Sequence, residues 1–271
     1  MIEINNLNYS YANGKKQVFD NFSLTIAEDG IYGLLGKNGV GKSTLLNLVS
    51  GLLYAPADQL KIDGVAVCER KARTLANLYY VPDEVEFPAM SLERYVSLIR
   101  PFYPNFSDEV LKDCLDNFEL EFPKKLTSLS LGEKKKVALS LAMAANTEFV
   151  LLDEPTNGLD IPSKTQLRRI IAKGMGEGRT MLISTHLVHD VEQLLDHVVI
   201  ISKSGLLLNK GIGELMDEYL FEVAPIGTND DSVLYSEPVA GGELVIRKRE
   251  NDEPQTEVKL EALFNYVTNK K

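Results

Sequence analysis

The stretch Ile31-Tyr32-Gly33-Leu34-Leu35-Gly36-Lys37-Asn38-Gly39-Val40-Gly41-Lys42-Ser43-Thr44-Leu45-Leu46-Asn47-Leu48-Val49 decides how this chain is read. It opens on a short apolar run, turns through closely spaced glycines, and ends in a segment of helical character. A short run with no polar position predicts a strand buried on both faces, which belongs to a parallel sheet covered by helices. Working outward, comparable runs recur at 149–152, 181–184 and 198–201. Residues 2–9 and 18–26 alternate instead, with Ala12-Asn13-Gly14-Lys15 as a turn between them, so an antiparallel layer is expected at the N-terminus.

The glycine turn fits the pattern G-x-x-x-x-G-K-[ST] between a strand and a helix. Its glycines let successive backbone N–H groups approach phosphate oxygens, and the helix start adds positive potential. Gly36, Lys37, Asn38, Gly39, Val40, Gly41, Lys42, Ser43 and Thr44 are thus candidate triphosphate ligands. Lys42 supplies charge to the β- and γ-phosphates, and the Ser43 hydroxyl is a ligand for Mg²⁺. A dinucleotide fingerprint is excluded, because the final glycine of G-x-G-x-x-G is missing and a lysine stands in the turn. The second chemical element is Phe149-Val150-Leu151-Leu152-Asp153-Glu154, an apolar strand ending in two acids. Alone, such a pair is an ordinary solvated loop entry. Beside a phosphate cradle, Asp153 can hold Mg²⁺ or its water, and Glu154 can take a proton from an attacking water.

Composition narrows the partners. The 271 residues are 44% hydrophobic and 25% charged, enough for one large domain with an appendage. With 29 Lys+Arg against 39 Asp+Glu the net charge is -10, which disfavours nucleic acid as a partner. No apolar run approaches the roughly 20 residues that span a bilayer. The first residues read as a strand rather than a signal peptide. Cys68 and Cys114 match no metal or disulfide spacing, so two buried, reduced thiols are expected. Residues 92–120 are helical and aromatic, with Pro101, Pro104 and Pro123 as breaks and Ser107 as an N-cap. They mark a helical insertion, taken as about 88–146. Beyond Gly211 acidic residues dominate: residues 206–271 carry 13 acids and 7 bases, so they supply -6 of the total. There Gly241-Gly242 reads as the turn of a hairpin, and Leu260, Leu263, Phe264 and Val267 form one face of a closing helix.

Three further segments carry a resemblance: Leu129-Ser130-Leu131-Gly132-Glu133, Asp153-Glu154-Pro155-Thr156-Asn157-Gly158-Leu159-Asp160, and His186 after a strand. In this order, with the phosphate cradle, they resemble the nucleotide-binding subunit of ABC transporters over about residues 1–215, leaving 216–271 as a small α+β appendage. The resemblance implies an α/β P-loop ATPase core with a mixed sheet. It implies ATP and Mg²⁺ as cofactors, a second ATPase subunit, and a separate integral membrane permease, with the chain cytoplasmic and peripheral at the inner face of the membrane. Two such subunits close head to tail, placing Ser130, Gly132 and Glu133 across the dimer from the cradle. Ser130 with Glu133 is also a capping-box pattern. By the same resemblance, His186 would hold the γ-phosphate and the attacking water with Glu154. A helical metal pair with His189 is the alternative, and it lacks a third ligand. Asp160 communicates across the dimer, or caps a helix. Tyr11 stacks on adenine, with Tyr9 on the same face as the alternative.

Departures from the family pattern bear on mechanism. Pro82-Asp83-Glu84 stands where a glutamine is usual, so Asp83 is a further candidate Mg²⁺ ligand and a source of repulsion toward the γ-phosphate. Leu131 replaces a signature glycine, reducing backbone freedom, and Lys136 replaces an arginine, losing bidentate geometry. Asn157-Gly158-Leu159-Asp160, the insertion and the closing helix around 260–267 look most like bacterial exporter-type members, with Phe102, Tyr103 and Phe106 either a docking surface or a packing cluster. A soluble ABC ATPase that remodels a protein or nucleic-acid complex is the alternative function, and a phosphate-loop kinase a third. Glu154 with His186 favours water as the nucleophile.

Overall fold

The computed structural model describes residues 1–11, 16–225, 227, 232–250 and 252–269; the turn expected at Ala12-Asn13-Gly14-Lys15 lies outside them. In chain order the elements are β1 (Ile2–Tyr11), β2 (Lys16–Ile26), β3 (Gly30–Leu35), α1 (Lys42–Val49), β4 (Leu60–Ile62), β5 (Val65–Ala66), α2 (Ala72–Ala76), β6 (Leu78–Val81), α3 (Leu92–Ile99), α4 (Asp108–Asn117), α5 (Leu131–Ala144), β7 (Phe149–Asp153), α6 (Ile161–Gly174), β8 (Thr180–Thr185), β9 (His197–Ser202), β10 (Gly205–Gly211), α7 (Ile212–Glu218), β11 (Tyr219–Ala224), β12 (Val233–Val239), β13 (Gly242–Lys248) and α8 (Leu260–Asn269).

The main sheet has the order β10-β9-β3-β8-β7-β6, with β10 alone antiparallel to its neighbour. Every residue of β3, β7 and β8 is buried, as continuous apolar runs require of strands covered on both sides. Alternation sends Ile31, Leu35, Val150, Leu152 and Ile183 into one core. Tyr32, Leu34, Leu151 and Leu182 enter the other. The second core is closed by α1 and by an antiparallel sheet of order β2-β1-β4-β5, the expected N-terminal layer. All parallel strands end toward the same side, so the loops after β3, β6, β7 and β8 converge there. This is what assembles the site.

The insertion has its own core of Leu92, Val96, Leu111, Leu115, Leu126, Val137 and Leu141. Ser107 caps α4 as expected, its hydroxyl accepting from Val110 N at 3.2 Å. α5 serves two cores: Val137 and Leu141 face the insertion, while Leu139, Ala142 and Met143 face the main sheet. Of the aromatic trio, Phe102 is 69% exposed. Tyr103 packs on Tyr79 with centroids 5.0 Å apart, and Phe106 lies beneath the Arg100 guanidinium. The cluster is therefore split, with only Phe102 fully presented to solvent.

Several expectations need correction. The hairpin turn is Ala240-Gly241, not Gly241-Gly242: Val239 pairs with Gly242, and Gly241 takes the positive φ of 92°. Gly242 instead lies within β13, where a Cβ would collide with the Ala224 carbonyl oxygen of β11. That third strand was not apparent in the sequence. Only Cys114 is buried; Cys68, in a short 3-10 turn, is half-buried, and both thiols are free. Leu131 needs no special backbone, because it is the first residue of α5 and has an ordinary helical conformation. Its distinguishing property is a side chain 61% exposed at the helix tip.

The three-stranded sheet β11-β13-β12 and α8 share a core with the main sheet: Phe221, Ile246, Leu260, Leu263 and Tyr266 join Val191, Leu195 and Val198 in one cluster. The face foreseen for α8 is widened by Ala262 and Tyr266, both buried. Residue 215, the foreseen end of the first unit, is buried within α7. Among the described residues no helix is long and apolar enough to cross a membrane.

Candidate nucleotide site

A cavity of about 440 Å³ opens at the converging loops, lined by Tyr11, Lys16, Val18, Asn38, Gly39, Gly41, Lys42, Ser43, Thr44, Asp83, Glu154, Asn157 and His186. A larger cavity of about 570 Å³, between α4 and α6 at the opposite strand ends, contains none of the candidate residues. The smaller one has the chemistry.

The turn from β3 into α1 depends on glycine at two positions. Gly41, the residue before α1, has φ 115°, and a Cβ there would stand 2.7 Å from Val18. A Cβ on Gly36 would stand 2.8 Å from the Ile201 carbonyl oxygen. Three buried leucines, Leu45, Leu46 and Leu48, hold α1 against the sheet with its positive end toward the cavity. Val40 is buried beneath the turn, while Lys37 and Asn38 are exposed. The Lys42 ammonium donates to the Gly36 carbonyl at 2.8 Å and stands 3.5 Å from Glu154 Oε1. Thr44 and Tyr11 share a hydroxyl hydrogen bond of 3.2 Å. Tyr11 thus lines the cavity; Tyr9 meets it edge-on behind, with centroids 5.1 Å apart.

Glu154 is the most constrained residue of the site. It follows β7 with φ 44°, a left-handed conformation that costs a non-glycine residue about 1–3 kcal/mol and clusters at functional positions. Its backbone is held by Ser184: Glu154 N donates to Ser184 O at 3.0 Å and to Ser184 Oγ at 3.2 Å. Its carboxylate is nearly buried and bridges two partners, Lys42 through Oε1 and His186 Nδ1 through Oε2 at 2.9 Å. The His186 backbone N donates to the same oxygen at 3.3 Å. His189 points elsewhere, to Glu192 at 3.0 Å, and among the described residues no group of three or more His, Cys, Asp or Glu is placed to hold a metal.

Asp153 is buried at the tip of β7, where its carboxylate accepts from the Ser184 hydroxyl. Tyr80 of β6 also bonds to Asp153; burial first, and then this carboxylate, push the Tyr80 phenol well up. Ser43 offers an exposed hydroxyl to the cavity. These hard oxygen donors fit Mg²⁺.

Other foreseen residues lie outside the cavity. Ser130 caps α5 in a capping box: Glu133 N donates to Ser130 Oγ at 3.3 Å, and Ser130 N donates to Glu133 Oε2 at 2.8 Å. Hydrogen bonds from Ser130 hold the Glu133 carboxyl below the usual range. Gly132 packs on the loop after β7, where a Cβ would stand 3.1 Å from the Gly158 carbonyl oxygen. Asp160 caps α6, accepting from Ser163 N at 2.9 Å, which holds its carboxyl down. Lys136 lies over the Phe118 ring and donates to the Phe118 carbonyl at 3.5 Å.

One residue facing the loop after β6 was missed. Lys135, 1% exposed, sends its ammonium to the Asp83 carbonyl at 2.6 Å, the Pro82 carbonyl at 3.3 Å and Asp83 Oδ1 at 3.4 Å. In the run Lys134-Lys135-Lys136 it reads as a solvated face. Its spacing from Leu139 and Ala142, at i+4 and i+7, is the signal that it points inward.

The family model of ABC transporters matches residues 19–157, a span running from β2 to the Asn157 of the cavity. The chain belongs to the ABC transporter family. The ABC transporter ATP-binding protein YtrB of Bacillus subtilis is 31% identical over 222 residues, 81% of this chain and 75% of that protein. The lantibiotic transport ATP-binding protein SrtF of Streptococcus pyogenes is 29% identical, over 78% of this chain and 90% of its own length. Among solved structures, an ATP-binding subunit of an ABC transporter superposes with a TM-score of 0.70 at 22% identity, over 79% of this chain and 91% of its own, a likeness of fold. As an ABC transporter ATP-binding protein, the chain binds and hydrolyses ATP.

Proposed function

We propose that this ABC ATPase powers export through a separate membrane-spanning permease, hydrolysing ATP at a composite site closed by a second ATPase subunit. One observation carries the hydrolytic assignment: Glu154, held between Lys42 and His186 beside the phosphate turn. Phosphate oxygens compete with Glu154 for the Lys42 ammonium, which frees a carboxylate oxygen to accept the proton of an attacking water. His186 keeps that carboxylate oriented and presents its ring to the terminal phosphate. Tyr11 offers a face for adenine at the cavity mouth. Ser43 and Asp153 would hold Mg²⁺, which, when bound, offsets charge on the β- and γ-phosphates.

Ser130, Gly132 and Glu133 are exposed or partly exposed at the tip of α5, away from the cavity of their own chain, as residues meant for a partner's ATP would be. Asp160, beside them in space through the Gly132–Gly158 contact, is proposed to sense that partner. Residues 1–215 form the nucleotide-handling part, and 216–271 a module built onto it. In this reading the chain sits at the inner face of the membrane through its permease, and Phe102 is one exposed apolar residue that the insertion offers for contact. The export direction rests on the resemblance of Asn157-Gly158-Leu159-Asp160, the helical insertion and the closing helix to bacterial exporter-type members.

The test is to purify the tagged chain from native membranes and load inside-out vesicles carrying the complex. The expected outcome is an integral membrane protein in stoichiometric amount and ATP-driven accumulation of cargo inside the vesicles. Accumulation in right-side-out vesicles instead would make the complex an importer, and a purely soluble assembly would remove the permease.

A further inference from the structure

The loop after β6 carries a carboxylate, Asp83, in the wall of the nucleotide cavity. Bare, it would repel a triphosphate. Its Oδ1 accepts instead from Lys135 of α5 at 3.4 Å and from Asn157, in the loop after β7, at 3.3 Å. The Lys135 side chain is 2% exposed and Asp83 43%, so the cation is hidden behind the loop while the carboxylate faces the cavity. The backbone carbonyls of Pro82 and Asp83 complete the ammonium's coordination. A buried ammonium without such partners would be strongly unfavourable, so the loop and α5 hold each other in place. Lys135 lies little more than one turn beyond the N-cap Ser130, on the same rigid element.

We propose that Lys135 is a positioning residue for ATP binding: with Asp83 it forms a charge-neutral pair, so that the cavity wall meets the γ-phosphate as an uncharged hydrogen-bonding surface. Lys135 does not line the cavity and acts through Asp83. The pair also binds the loop after β6 to the helix that begins at the signature segment. This proposal rests on the reading of the cavity as the ATP site, and the two fail differently. If the cavity is not the ATP site, E154Q hydrolyses at the wild-type rate; that result is independent of Lys135.

Equilibrium binding of radiolabelled ATP with Mg²⁺, together with steady-state hydrolysis, tests the pair on the full chain. K135M leaves Asp83 uncompensated and is expected to weaken ATP binding about tenfold, with KM rising more than kcat falls. K135Q keeps a donor for the loop carbonyls but removes the charge, and is expected to lose affinity to the same degree. D83N alone, which removes the repelling carboxylate and leaves the Lys135 ammonium on the two loop carbonyls, is expected to weaken ATP binding less than K135M does. The double variant D83N/K135M, with no charge on either side, is expected to return to within about twofold of wild type. A double variant no better than K135M makes Lys135 merely structural and overturns the proposal. So does a tenfold loss in D83N alone, which makes the carboxylate an Mg²⁺ ligand. Melting temperatures without nucleotide separate misfolding from loss of affinity: K135Q, if folded at the wild-type temperature with wild-type affinity, also refutes the pair.

Discussion

Glu154 combines a left-handed backbone with a carboxylate engaged at both oxygens. The strain is carried by the backbone, so replacing the carboxylate by an amide leaves the turn unchanged. E154Q should therefore retain ATP affinity within about twofold while hydrolysis falls by about 10²–10⁴, the usual range for a lost general base. Phosphate release and equilibrium ATP binding measured side by side check this, and wild-type turnover would remove Glu154 from the mechanism. At this scale the sequence was informative where chemistry requires a residue type. Gly41, Lys42 and Glu154 were legible because phosphate recognition restricts both type and spacing. Lys135 was not, because a lysine in a run of three is ordinarily solvated, and its burial depends on where the loop after β6 passes. Asp83 was seen as an anomaly, but a single carboxylate carries no sign of the cation behind it.

α5 is the element on which local and long-range demands coincide. Its start was legible from Ser130 and Glu133, since a capping box involves only residues three apart. Removing the cap in S130A should cost about 1 kcal/mol, read as a shift in the urea midpoint at unchanged slope. The pH dependence has a definite sign. The Glu133 carboxyl is held below its ordinary value when folded, so its contribution is present above the unfolded-state pKa of about 4.3 and is lost as pH falls through the folded value. Below that folded value the protection of the Lys134 amide, its exchange relative to the unfolded chain at the same pH, should fall, and E133Q should remove that acid dependence. Parallel strands were legible for a similar reason, because burial on both faces leaves no polar position. The tail was harder to read. β11 was missed, and the turn slipped by one residue, because Gly242 is needed for the close approach of Ala224, a tertiary demand that resembles a turn signal.

Over the whole molecule, the tail and the main sheet share an apolar interior. Composition suggested an acidic appendage, and some of its charges pair locally, as in Arg247 between Glu222 and Glu253. Periodicity revealed the apolar face of α8 but not what it covers, since amphipathicity carries no address. The common core predicts a shared stability. Leu263 is 0% exposed within it, and L263A should lose about 2–5 kcal/mol. Calorimetry should show one lowered transition for the chain rather than an early, separate melting of the tail. A split transition would mean that residues 216–271 unfold independently.

α8 also lies against the 3-10 turn Val188–Asp190, a few residues beyond His186. Coupling between two sites is reciprocal: whatever the tail does to the poise of that histidine, the terminal phosphate does in equal measure to the tail. If the packing of the last helix on this turn differs between the ATP-bound and ATP-free chain, a partner gripping that helix would shift ATP affinity without entering the cavity, and turnover would be felt at a surface remote from the chemistry.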